Sequence, residues 1–170
     1  MKLDIPDGYL KVEKPREKTR RLKAEGDKRF HEAKENGVRV RRADYGRQMV
    51  YRSERAALSR IPAPVHEMTL EELTITTDMI FADERVKAID PFPGEKVYVQ
   101  DSCIRGAIAY TFQRRMRFGT SKSNFTLYHE AAHILTPGNK HGYDFCRVMC
   151  LLIEWFENPE AAEHMRRYLR

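Results

Sequence analysis

Two histidines four residues apart enclose a glutamate in His129-Glu130-Ala131-Ala132-His133, and a third histidine, His141, follows after a short interval. A catalytic zinc ion needs neutral nitrogen ligands and one coordination position left open. On a helix, residues four apart lie about 40° apart around the axis, so His129 and His133 share one face and can reach one ion. Glu130 is turned about 100° from His129, from where its carboxylate can touch an attacking water without occupying the metal. The chemistry open to such a set is metal-assisted hydrolysis, with Glu130 as the general base.

The elements around the motif must deliver these side chains to one point. Phe125, Leu127, Ala131, Ala132, Ile134 and Leu135 predict a mostly buried helix from about 125 to 135. Thr136-Pro137-Gly138-Asn139-Lys140 stops it sharply and can swing the chain back towards the metal. His141 then opens the next helix, over about 142–156, where it can complete a three-histidine site for one Zn²⁺ per chain. His31, His66 and His164 fall on a charged segment, after a proline-rich break and on the last helix, and read as ordinary side chains. Cys146 and Cys150 share a helix face and read as small packing residues; with Cys103 they form an odd set without disulfide spacing.

Upstream, residues 45–58 predict a helix with Met49, Val50, Leu58 and Tyr45 on its apolar side, broken by Ile61-Pro62-Ala63-Pro64. Thr69-Leu70-Glu71-Glu72 is a capping box for a helix to about Phe81, with Leu70, Leu73 and Ile80 inward. Residues 95–100, 106–112 and 114–118 read as three short strands, and Asn158-Pro159-Glu160 opens a last helix to Leu169. The fold class is therefore α+β.

Charge is distributed unevenly. Residues 1–43 carry 14 of the 31 basic and 8 of the 25 acidic side chains, while residues 44–170 carry 17 of each. This divides the chain into a basic N-terminal segment, 1–43, helical over about 16–34 and ended near Asn36-Gly37, and a neutral domain, 44–170. A solvated helix accounts for the segment, and contact with nucleic acid or another anionic surface is the functional alternative. No apolar run approaches a bilayer's thickness and no secretory h-region opens the chain, so the expected location is the cytoplasm, without a membrane partner.

The run Leu127-Tyr128-His129-Glu130-Ala131-Ala132-His133-Ile134-Leu135-Thr136-Pro137, followed by His141-Gly142-Tyr143-Asp144-Phe145, resembles the SprT-like zincins. It is more closely similar to a small metallohydrolase family of actinobacteria and their phages. The shared form is HExxH, a short loop, then HGxxF. The resemblance implies that His129, His133 and His141 bind zinc and that Glu130 is the base. It also implies a close backbone approach at Gly142 and an apolar anchor at Phe145. The expected fold is a minimal zincin-like domain, with a small, mostly antiparallel three-stranded sheet packed on the HExxH helix and flanking helices. Metzincin spacing is absent, since His141 comes two residues too late, and no cysteine zinc ribbon follows. The expected substrate is a peptide or protein. It would be bound along an edge strand at Arg114 to Phe118, where Arg115 or Arg117 would meet acidic groups, and Tyr143 is a candidate for stabilising the oxyanion. The competing reading is a nucleic-acid- or protein-binding molecule that uses residues 1–43 as its contact and the zincin domain as a scaffold.

Overall fold

Capping and apolar spacing set the helices. The computed structural model describes residues 15–38, 44, 46–59 and 66–169. Among the described residues, seven helices, α1 Pro15–Glu35, α2 Arg47–Leu58, α3 Leu70–Ala82, α4 Glu84–Lys87, α5 Asn124–Leu135, α6 Tyr143–Phe156 and α7 Pro159–Tyr168, accompany three strands, β1 Tyr98–Asp101, β2 Ala107–Tyr110 and β3 Arg115–Phe118. The architecture is α+β. The capping box forms as its residues require: Thr69 N–H donates to Glu72 Oε2 at 2.7 Å, and Glu72 N–H donates to Thr69 Oγ1 at 3.2 Å. Asn158 caps α7 through Glu160 N–H at 2.7 Å. Tyr45 and the Ile61-Pro62-Ala63-Pro64 break lie outside the described residues, as do residues 1–14 and 39–43 of the basic segment.

The core joins α3, β3, α5, α6 and α7 through Leu73, Ile80, Met116, Phe118, Leu127, Ile134, Phe145, Met149, Leu152 and Met165. Leu73 and Ile80 point inward, but Leu70 at the first turn of α3 is exposed, as are Ile75 and Met79. On α2, Val50 is buried while Met49 faces solvent. Helix α1 carries a narrow seam of Leu22, Gly26, Phe30 and Ala33 at helical spacing. Phe30 meets Phe112 edge to face at 5.2 Å, and Arg29 reaches Glu95 at 2.6 Å, so the helix is docked along one stripe and solvated elsewhere.

The sheet departs from a mostly antiparallel arrangement. Its order is β1-β3-β2, with β1 parallel and β2 antiparallel to β3. Strand β3 is therefore central, and the residues expected at a substrate-binding edge lie inside the sheet. The cause is the β2–β3 turn. Thr111–Gln113 form one turn of 3₁₀ helix and Arg114 adopts a left-handed conformation (φ 47°), which folds β3 back onto β2 and leaves its other side to β1. Arg115 is buried, its guanidinium against the Tyr110 ring and bonded to Gln113 Oε1, and Arg117 donates to Ser102 Oγ; neither lines the site described below.

Arg114 is held by a buried, bidentate pair: Nη1 and Nη2 donate to Asp90 Oδ1 and Oδ2 at 2.8 and 2.6 Å, and Nη2 also reaches Glu95 O. Both side chains are almost fully enclosed, and Phe81 lies beneath the guanidinium. Removing one member of such a pair leaves an uncompensated buried charge. Asp90→Ala is expected to lower stability by about 3–5 kcal/mol, read as a shifted midpoint in urea unfolding. An unmoved midpoint would show that the pair does not hold the β2–β3 turn.

Candidate metal centre

Helix α5 starts at Ser123, whose Oγ accepts from Thr126 N–H at 3.2 Å. Phe125, Leu127, Tyr128, Ala131, Ala132, Ile134 and Leu135 are all buried, so the helix runs through the interior and carries His129 and Glu130 with it. His133 is half-buried, one turn further on. The turn after the helix closes through Asn139 N–H to Thr136 O and Gly142 N–H to Asn139 O, each 3.1 Å, with Gly138 and Lys140 at positive φ. Asn139 Nδ2 ties the turn to Asp144 at the start of α6. This returns His141 to the two helical histidines.

One ring nitrogen from each of His129, His133 and His141 can be chosen so that all three lie within 4.8 Å of one another. Three histidines thus lie close enough to bind a metal ion. The Nε2 atoms of His129 and His141 are 3.2 Å apart. Bonds of about 2.0–2.1 Å at tetrahedral angles put ligand nitrogens about 3.3 Å apart, so the separation suits a shared ion. Phe145 packs against all three rings, with centroids at 5.1, 4.4 and 4.8 Å from His129, His133 and His141. A close backbone approach at the third ligand is made by Gly46: a Cβ there would stand 2.0 Å from the His141 carbonyl oxygen.

Two carboxylates face the back of the cluster. Asp44 Oδ2 lies 2.7 Å from His141 Nδ1, and Glu54 Oε1 is hydrogen-bonded to His129 Nδ1. A carboxylate accepts at these positions, so each Nδ1 carries the proton and each Nε2 presents its lone pair to the other ring. Two lone pairs face to face are satisfied by one shared proton or one cation. The protonation tendencies follow. Burial opposes charging of His129, but the Glu54 bond and charge outweigh it and raise its pKa. Burial lowers His141 despite Asp44. Burial and the two neighbouring imidazoles push His133 down to about 2, keeping it a neutral donor. Burial lifts the Glu130 carboxyl to about 7, against the pull of His129 and of the Ala109 N–H that it accepts.

The cluster opens on two cavities, of about 590 and 410 Å³, which share Arg47, Tyr51, Ala107, His129 and Glu130. Together they form one groove, with α2 and β2 as walls and α5 as floor. The Tyr51 ring stacks on His129 at 5.6 Å, and the Arg47 guanidinium lies over the Tyr51 ring, 5.5 Å from its centroid. Tyr143 is three-quarters exposed and lines a different cavity, with Cys146 and Cys150, which removes it as a group at this site. Asp44, Arg47, Tyr51 and Glu54 are the site residues that motif reasoning passes over. For the last three the sequence carries only a shared helix face at positions 47, 51 and 54, which does not tell whether that face meets solvent or the histidines. Asp44 carries no comparable mark.

No protein-family model matches the chain, and neither a curated protein nor a solved structure is significantly similar to it.

Carboxylates behind ligating histidines fix tautomer and ring orientation, and their loss weakens metal sites about 10–100-fold. Asp44→Ala and Glu54→Ala are each expected to lower affinity for a divalent transition metal by such a factor, measured by competition against a chelator. Asp44→Asn and Glu54→Gln, whose amide oxygens still accept, should recover part of it. Unaltered affinity in both alanine variants would show that the carboxylates do not orient the ligands.

Proposed function

We propose that the chain is a zinc-dependent hydrolase of the zincin kind, acting on peptide bonds. The observation that carries this reading is the pairing of a three-histidine cluster with a buried glutamate, Glu130, that lines the same groove and is not itself needed as a ligand. A structural site would be closed and would leave this carboxyl without a task.

His129, His133 and His141 would hold the zinc, which when bound would supply a Lewis acid for the scissile carbonyl and the attacking water. Glu130 does the proton work: burial raises its pKa, the charge of zinc on the adjacent histidines would draw it back down, and a carboxylate so placed accepts and returns a proton. Glu130 lies in the groove next to Ala109 of β2, beside the place where an extended chain would lie. There Glu130 takes the proton of the attacking water and delivers it to the leaving amine. Tyr51 and Arg47, beside the imidazoles and at the junction of both cavities, are the donors available to a developing oxyanion.

The edge that pairs with substrate is β2 in place of β3. Gly119 N–H donates to Gly106 O at 2.7 Å, which sets Ile108 and Tyr110 as the rungs bonded to β3. The main-chain groups of Ala107 and Ala109 then turn to the open side. A peptide added there would cross the metal centre.

One zinc per chain is expected in metal analysis of the purified protein. Glu130→Gln should keep that zinc and lose about 10²–10⁴-fold in turnover of a denatured protein substrate. Undiminished turnover in this variant would remove Glu130 as the base, and with it the hydrolytic reading.

A further inference from the structure

The sheet buries one face and leaves the other partly open. Met116 and Phe118 point into the core, with Val99, Ala107 and Ala109 packed beside them. The opposite face carries Arg115 and Arg117 of β3, side by side at the two-residue repeat of a strand. Arg115 stands between Tyr98 of β1 and Tyr110 of β2 in the strand register. It is 7% exposed, and an arginine stays charged in that setting. A buried charge needs a counter-charge. None is in place here: Arg115 donates to Gln113 Oε1 at 2.6 Å, lies 4.3 Å from the Tyr110 ring centroid, and its Nε has no partner. Arg117 donates to Ser102 Oγ at 2.9 Å and to the Tyr110 hydroxyl at 3.4 Å. Among the described residues, the hydrogen-bond partners of both guanidiniums are therefore neutral oxygens. Burial lowers the Arg115 pKa, with Tyr110 opposing and the Arg117 charge adding to the effect. The carboxylates of the flanking elements answer other cations: Asp101 pairs with Lys122 at 2.8 Å, and Glu25 with Arg21 and Arg29.

We infer that this face of the sheet binds a phosphate group at Arg115 and Arg117, in a site separate from the metal centre and independent of the hydrolase reading. The Tyr110 and Ser102 hydroxyls accept from Arg117 and keep their own protons to give. The set is thus rich in donors and holds no negative charge. A carboxylate balances one guanidinium, whereas a phosphate dianion balances two and accepts from several directions. Lys18 adds a third cation nearby, 5.1 Å from the Tyr98 ring centroid. With Lys18 on Tyr98 and Arg115 on Tyr110, neither ring is an open platform for a base to stack on. The surface therefore reads the phosphate itself, whether a free ion or a unit of a nucleic-acid backbone.

The test is isothermal titration calorimetry of the full-length, zinc-loaded protein in chloride buffer at constant ionic strength. The probes are inorganic phosphate, acetate and a ten-nucleotide oligothymidylate. Phosphate is expected to bind at least about tenfold more tightly than acetate. Arg117→Gln, a change at a half-buried residue outside the core, should weaken phosphate binding about ten- to hundredfold while zinc content stays the same. Arg115→Gln should weaken it at least as much; if that variant fails to fold, Arg117→Gln carries the test alone. Phosphate affinity that is undiminished in Arg117→Gln places the ion elsewhere, the zinc included, and overturns the inference. Acetate binding as tight as phosphate, or no phosphate binding at all, also overturns it. The oligothymidylate separates the two sources. Binding tighter than that of the free ion, lost in Arg117→Gln and falling steeply with salt, assigns a nucleic-acid backbone. Tighter binding of the free ion assigns a small phosphate.

Discussion

Everything at the site depends on bringing imidazole nitrogens together inside a protein, where no water relieves their mutual repulsion. At 3.2 Å, the Nε2 atoms of His129 and His141 tolerate each other only around a positive charge. The surrounding structure prepares for that charge. Asp44 and Glu54 hold the protons on the far side of the rings, and Phe145 blocks the rings from tilting away. Half-buried carboxylates such as these carry a desolvation cost of their own. Here their cost is offset by the same imidazoles they orient, so ligands and carboxylates are stable only as a set.

The site was legible in the sequence to the extent that it is local. His129, Glu130 and His133 lie on one helix, and the turn after it is made by Pro137 and Gly138, so the geometry of that stretch follows from helical periodicity and turn chemistry. His141 was legible because that turn leaves few directions for the chain. Asp44 and Glu54 were not, because what identifies them is contact with rings 97 and 75 residues away. A carboxylate on an exposed-looking helix has the same local pattern whether it faces solvent or a histidine.

The sheet shows the same limit. Alternation at 95–100, 106–112 and 114–118 located three strands within a few residues, since pleating imposes its period on the sequence. It said nothing of which strand lies between the other two. That was decided by Arg114, whose left-handed backbone and bidentate bond to Asp90 turn the chain back on itself. An arginine carries no sequence mark for such a conformation, unlike a glycine. The shift of the exposed edge from β3 to β2 follows from this one residue, and it takes Arg115 and Arg117 off the open edge.

The separation of ligands from carboxylates also has a kinetic side. His129, His133 and His141 belong to a helix–turn–helix that closes with little loss of chain entropy, whereas Asp44 and Glu54 must be brought across most of the domain. On loop-closure entropy alone, the three nitrogens come together more readily than they meet the groups that fix their tautomers. An ion captured at that stage would be held loosely and exchange freely. Docking of α2 brings Glu54 behind His129, and the same contact builds the second wall of the groove. Ligand orientation and groove shape thus depend on one packing step.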